Sequence, residues 1–400
     1  MCEVFHLMYF EYKKILKQSA AKIALAAVFA VILFSGGIAV LNGSITAGGE
    51  VVSSGYQNEK DRKAEEINYA GEAVDEKLLR EARDTFKRYP SDYTTNAYET
   101  KEAWDAYRMY ARPYNSLVSL TQSVGADILT MDLNGFYEYR RAAMEEMQDE
   151  QDLSAGQKEF LKKLDDQVEK PFRYDYTRMY RRFISLQYTN GIFTAFAVAV
   201  CLAGIFAGEY TSGVDGLMLS SKYGKNKVIA AKLLTGFSFS IVVSLVFLLA
   251  CFLELGILHG FEGADAPIQL GYVTSSYPLT MLETVEFMFL YNVLAVCLIA
   301  AIAMLLSALA RSSFSVIIVI TVILFGGIFL EVPYRYKFLR VLLHFLPGKL
   351  MSGGAVLDDM PLKIGAAYFT PYQYGALIVI PIILLLAFGA FRKFRAHQVG

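Results

Sequence analysis

The chain has 400 residues, 54% of them hydrophobic, and its 38 Lys and Arg against 39 Asp and Glu leave a net charge of -1. Near-neutral charge without a long basic run excludes an electrostatic grip on nucleic acid. A mean hydropathy of +0.35 does not suit a soluble domain unless the apolar residues are gathered into blocks.

They are gathered. Of the 77 charged residues, 47 lie between Val51 and Asn190, which reads as one soluble domain inserted into a membrane domain. In residues 1–22, Val4, Phe5, Met8, Tyr9, Tyr12, Ile15 and Leu16 fall on one arc of a helical wheel, with Lys13, Lys14 and Lys17 opposite. That pattern predicts a helix lying in the cytoplasmic membrane interface. Ile23 to Leu41 follows as the first span. It reads as an anchor rather than a cleaved signal peptide, because both the 22 residues before it and its 19 apolar residues are long for one.

Residues 42–190 read as a mostly helical domain. Val74, Leu78, Ala82 and Phe86 recur every four residues, Phe160, Leu161, Leu164 and Val168 repeat the pattern, and strand alternation is hard to find. Pro90, Pro113 and Pro171 mark breaks. The domain holds 14 of the 26 tyrosines, read as rings that pack helices together rather than as a ligand surface. None of the four cysteines, Cys2, Cys201, Cys251 and Cys297, lies in it, so no disulfide framework supports it.

Residues 191–400 contain five further apolar segments: Gly191 to Ala207, Leu233 to Ile257, Phe287 to Ala308, Phe314 to Leu330 and Gly375 to Phe391. A span needs roughly 20 apolar residues, so the expected fold is an all-α membrane protein with six transmembrane helices. Lys13, Lys14, Lys17 and Lys22 precede the first span, Lys222, Lys225 and Lys227 follow the second, Arg311 follows the fourth, and Arg392, Lys393 and Arg395 follow the sixth. The connection 258–286 has no Lys or Arg. The positive-inside tendency then puts both termini and the loop 208–228 in the cytoplasm and the 42–190 domain outside. The outer connection 331–374 carries five basic residues against that pattern, and its apolar stretch Phe338 to Leu346 reads as a re-entrant piece.

No GxxxxGK[ST] nucleotide loop, HExxH pair, Cys/His cluster or GxSxG elbow occurs. Catalysis and ATP hydrolysis by this chain are therefore not expected, nor is a metal. Ionisable groups near the apolar runs are the remaining candidates, since charge in hydrocarbon is costly. Glu254 is the clearest translocation candidate, although a carboxylate three residues from its span's outer end reaches the interface more simply. Glu209, just past the second span, reads as a group that holds the lysine-bearing loop or gates a cavity, and equally as a solvated anchor. Gly36 with Gly37, and Gly326 with Gly327, permit close helix approach.

The segment Glu209 to Lys232 brings these features together: an acidic residue, a glycine turn, an LLS-like patch, a basic residue and a lysine opening the next span. Here those positions are Glu209, Gly213, Leu217 with Leu219 and Ser220, Lys225 and Lys232, while Val214 and Tyr223-Gly224 depart from the usual Thr and Pro-containing turn. With six spans, an interfacial first helix and a large outer insertion, the chain resembles the permease subunits of type 2 ABC exporters. The resemblance implies a homodimer, or a heterodimer with a similar permease, in a bacterial plasma membrane and bound to a separate ABC ATPase that carries ATP and Mg. It makes 208–228 the coupling loop, with Glu209, Gly213, Asp215, Leu217, Leu219, Ser220, Lys222, Lys225 and Lys232 as ATPase-coupling residues. Substrate, a peptide or antimicrobial compound among the options, would move by alternating access. The competing expectation is a membrane-bound sensor that relays outer-domain ligand binding to a cytoplasmic partner.

Overall fold

The computed structural model describes residues 2–41, 43–89, 98–221, 223–330, 332–333 and 335–397, and these are mostly helical. Five helices among the described residues are long and apolar enough to cross a membrane, covering Ser19–Gly37, Arg178–Ser212, Gly224–His259, Met281–Leu309 and Pro371–Arg395. Their principal segments are α2 (Ser19–Leu33), α9 (Arg178–Leu202), α12 (Ile229–His259), α13 (Met281–Leu309) and α16 (Pro371–Arg395). The expected fifth span differs: α14 (Ser313–Gly326) has 14 residues before a 3-10 turn at Gly327–Phe329. At 1.5 Å per residue it is about 21 Å long, short of the roughly 30 Å of hydrocarbon.

Helix α13 occupies the centre and packs on α16, α9 and α12. Its start is fixed by a capping box, in which Thr280 Oγ1 accepts from Glu283 N while Glu283 Oε2 accepts from Thr280 N. The more peripheral α12 leaves Leu234, Val242, Val246, Leu249, Leu253 and Ile257 exposed and turns Phe239, Val243, Phe247, Cys251 and Leu255 inward. A helix apolar on both its buried and its exposed face suits hydrocarbon as solvent.

Helix α1 (Cys2–Lys17) forms where expected, yet its orientation is rotated from the simple amphipathic reading. Ile15 and Glu11 are buried and Tyr12 donates to Ser238 Oγ at 2.8 Å, while Phe5, Tyr9 and Leu16 of the predicted apolar arc remain exposed. One edge of the helix packs on the bundle and the rest of its apolar arc is left for a surrounding medium.

The insertion combines α3 (Gly55–Glu66), α4 (Glu76–Phe86), α5 (Lys101–Ala106), α6 (Asn115–Ser123), α7 (Phe136–Glu150) and α8 (Ala155–Asp165). The expected helical repeat appears in α4, whose Leu78, Leu79 and Ala82 are buried and whose N-cap Asp75 accepts from Leu78 N at 3.1 Å. A β-hairpin missed by the sequence pattern, β1 (Ser44–Ala47) with β2 (Glu50–Ser54), opens the insertion, and β3 (Leu362–Ile364) with β4 (Ala367–Phe369) forms a second hairpin later. Three to five residues per strand are too few for alternation to stand out. The tyrosines do pack helices, as in the Tyr69–Tyr114 and Tyr137–Phe172 ring pairs at 4.7 and 5.2 Å. Pro113 sits in a 3-10 turn at Arg112–Tyr114, and the predicted break at Pro90 lies outside the described residues.

The insertion is bonded to one end of the bundle, here termed the domain side. Arg178 at the start of α9 donates to both carboxylate oxygens of Glu59 at 2.7 and 2.9 Å, and Arg140 donates to Val273 O and Ser275 O at 2.7 and 2.9 Å. On the same side, the stretch predicted as re-entrant forms the short amphipathic α15 (Lys337–His344), with Phe338 and Leu342 exposed and His344 buried.

Candidate functional site

At the opposite end, the loop side, the segment after α9 folds into a compact knot rather than an open loop. Helix α9 breaks at Ala203, and Ser307 near the end of α13 satisfies the broken ends: its Oγ accepts from Phe206 N and Ala207 N at 3.0 and 2.9 Å and donates to Ala203 O at 2.8 Å. The chain then forms α10 (Ala207–Ser212), turns at Gly213 with φ of +68°, and enters α11 (Asp215–Ser220). A π turn at Gly224–Val228 leads into α12. Gly224 passes so close to α11 that a Cβ there would lie 1.8 Å from Met218 O, so only glycine fits.

Four charged side chains meet beneath this knot. Lys232 is 1% exposed and its ammonium donates to Glu209 Oε1 at 2.6 Å, Glu11 Oε2 at 2.9 Å and Ile205 O at 3.0 Å. Three acceptors satisfy all three ammonium protons. Lys14, half exposed, donates to Glu11 Oε1 at 3.1 Å and Glu209 Oε1 at 3.0 Å, so two carboxylates and two ammoniums balance. Burial works against the charged Lys14, but the Glu11 and Glu209 carboxylates outweigh it and raise its pKa above the ordinary lysine value. The cluster joins α1, α10 and α12. Taking away one partner of such a buried pair costs about 3–5 kcal/mol, because an uncompensated charge remains.

Two further ties complete the junction. His397 Nε2 stands 3.1 Å from Asp215 Oδ2, and its ring lies 4.6 Å from that of Tyr210, whose hydroxyl donates to Ala308 O at 3.1 Å. Lys227 pairs with Glu3 of α1. The segment α10–α11 is thereby fastened to α1, α12, α13 and the end of α16.

Of the sequence-predicted coupling residues, Glu209, Lys232 and Asp215 are buried in these ionic contacts, Leu219 is buried, and Leu217, Ser220 and Lys225 are exposed. Lys222 lies outside the described residues. Glu209 is therefore not a solvated anchor: it is buried and holds the lysine-bearing segment through Lys232. The exposed crest is apolar, with Val214, Leu217 and Tyr223 exposed by 40%, 77% and 37%. Glu11, Lys14 and His397 escaped sequence reasoning because each meets its partner across at least 182 residues.

Among the described residues Glu254 has no ion partner. Its carboxyl lies in a notch against Gly36 and Gly37, inside a π turn (Phe34–Ile38) that continues α2, and its Oε2 is buried with no hydrogen-bond partner. One helical turn or so deeper, Ser35 Oγ donates to Asn190 Oδ1 at 3.1 Å and Asn190 Nδ2 donates to Cys251 Sγ at 3.5 Å. Gly36 and Gly37 thus serve close approach, as expected, although the approaching group is a carboxylate. Among the described residues no group of three or more His, Cys, Asp or Glu could hold a metal ion.

Residues 164–395 match the model of a family described as a protein of unknown function, DUF2705. No curated protein and no solved structure matches the chain.

Proposed function

The chain belongs to the DUF2705 family, and we propose that it is the transmembrane subunit of an ATP-driven exporter, working with a separate ABC ATPase and lacking catalytic activity of its own. One observation carries the reading. The segment α10–α11 presents exposed Val214, Leu217 and Tyr223 while its underside is locked to the bundle by Glu209 and Lys232. An apolar crest on a charge-fastened base is built to receive a partner and pass on its movement, since a rigid element with two arrangements is what coupling requires.

In this reading the ATPase, on binding ATP, pushes α11. The push reaches α12 through Lys232, α1 through Glu11 and Lys14, and α13 through Tyr210 and Ser307. The spans then shift between inward and outward openings. The proposal takes α14 as a short sixth crossing beside the five long helices, with both termini in the cytoplasm and the insertion outside a bacterial plasma membrane. Two copies, or one copy with a similar permease, would enclose the path for a substrate such as a peptide or antimicrobial compound. Glu209 is assigned a fastening role and Glu254 a place beside the path.

Orientation is tested with Ser221→Cys, at an exposed position beside α11. The expected result is protection from an impermeant maleimide in intact cells and labelling after permeabilisation. Labelling in intact cells overturns the orientation and the coupling role with it.

The sensor alternative draws on a different observation: Arg178, which holds Glu59 of the insertion, opens α9, so the insertion is fixed directly to a long helix that ends at the same junction. A kinase rather than an ATPase on the α11 crest would favour it.

A further inference from the structure

On the domain side, a cavity of about 350 Å³ lies between α7, the start of α9, the 272–275 turn and the 353–359 segment. Asp358, Asp359, Tyr188, Tyr272, Gln151 and Ser275 are among the residues that line it. Asp359 is 2% exposed. Its Oδ2 has Ser276 Oγ at 3.5 Å, and its Oδ1 is buried without a partner. Gln151 Oε1 is a second buried acceptor without a partner in the same lining.

The nearby cations lie outside the lining: Arg181 packs against Gly271 and acts on Tyr272, and the others are bound as follows. Arg140, the closest to Asp359, is committed to Asp165, Val273 O and Ser275 O. Asp165 in turn holds Lys170 at 2.6 Å. Arg340 and Lys349 act on the neighbouring Asp358 and line a separate cavity with it. No Lys or Arg lines the cavity itself. A buried carboxylate oxygen and an amide oxygen, both acceptors, call for a ligand that donates hydrogen bonds, and the carboxylate pair calls for positive charge. The tyrosine rings suit the same ligand, since aromatic faces attract cations.

We propose that this cavity binds a small organic cation, an ammonium or guanidinium group, with Asp359 as its counter-charge and Gln151 as a second acceptor. The site is distinct from the loop-side junction and holds whether or not the export reading does. Its volume matches one amino-acid-sized group.

Burial, with Asp358 adding to it, pushes the Asp359 carboxyl up to about 7. Only its ionised form provides the counter-charge, so cation affinity rises as pH rises through that value, by about tenfold between pH 6 and pH 8.

The test is isothermal titration of the full-length chain in nanodiscs with agmatine, and with glutamate as an anionic control. Expected are agmatine binding that strengthens about tenfold from pH 6 to pH 8, at least tenfold weaker binding in Asp359→Asn, and no glutamate binding. The pH series uses the unaltered protein, so it stands even where the variant folds poorly. Absence of agmatine binding at pH 8, pH-independent affinity, or equal affinity in a folded Asp359→Asn protein overturns the proposal.

Discussion

Nε2 of His397 lies 3.1 Å from Oδ2 of Asp215 in the first turn of α11. The end of the last long helix is thereby tied to the helix of the junction that carries exposed Leu217. A net hydrogen bond of this kind is worth about 1 kcal/mol, a factor of about five in local opening. His397→Ala is expected to speed amide exchange across Asp215–Ser220 about fivefold while leaving α13 protected. Hydrogen-exchange mass spectrometry checks it, and unchanged protection would show that the tie is incidental.

Replacing Lys232 with Met leaves Glu11 and Glu209 buried without their main counter-charge, which costs about 3–5 kcal/mol. Adding Glu209→Gln to Lys232→Met removes one of the stranded charges, so the double variant should melt at a higher temperature than Lys232→Met alone. That non-additivity is the signature of one shared network. Detergent-solubilised melting curves measure it, and strict additivity would mean that the two groups do not interact.

A Cβ at Gly36 would lie 2.1 Å from Glu254 Oε2. Gly36→Ala therefore displaces the Glu254 carboxyl or α12 itself, with an overpacking cost of about 1–3 kcal/mol. Shortening the intruding side chain should relieve it: Gly36→Ala with Glu254→Ala is expected to be more stable than Gly36→Ala alone. The same melting assay decides, and failure of the rescue would place the clash elsewhere.

The domain-side tie has a defined acid limit. Burial raises the Glu59 carboxyl, but His259, 3.2 Å away, and the Arg178 fork outweigh it and hold its pKa at about 2. A carboxyl lowered on folding adds stability that is complete above its unfolded pKa of about 4.3 and is lost as pH falls through the folded value. The insertion should stay docked at pH 5 and loosen between about pH 4 and pH 2, followed by exchange protection of α3. Glu59→Gln should remove that acid-dependent step. An unchanged step in the variant would assign it to other carboxyls.

Much of this architecture is legible in the amino-acid order because lipid as a solvent imposes long apolar runs and the positive-inside pattern marks their ends. Helix α1 and the α4 repeat follow from local periodicity, and the position of the α10–α11 segment follows from its place between two apolar runs. The ionic junction does not. Glu11 and Lys14 look like ordinary polar positions of a surface helix, and only the tertiary fold carries them 195 to 221 residues along the chain to Glu209 and Lys232. Glu254 shows the same limit. Its spacing from the span end suggests an interfacial carboxylate, but only the tertiary fold shows that it sits against Gly36 and Gly37 of another helix. Segment Phe314 to Leu330 holds only Ser315 and Thr321 as polar residues, yet helix α14 ends at Gly326 and a 3-10 turn follows at Gly327–Phe329, a choice that hydropathy does not register.

The coupling role of α11 is tested most directly at Leu217, which is 77% exposed and makes no ionic contact within the junction. The intact chain is purified in mild detergent with its native partners, the partners are identified by mass spectrometry, and Mg-ATP hydrolysis is measured for the unaltered protein and for Leu217→Asp. The account predicts a copurifying protein with a nucleotide-binding loop, and a loss of at least tenfold in its copurified activity in the variant. A preparation without any nucleotide-binding partner, or activity unchanged by Leu217→Asp, would contradict it.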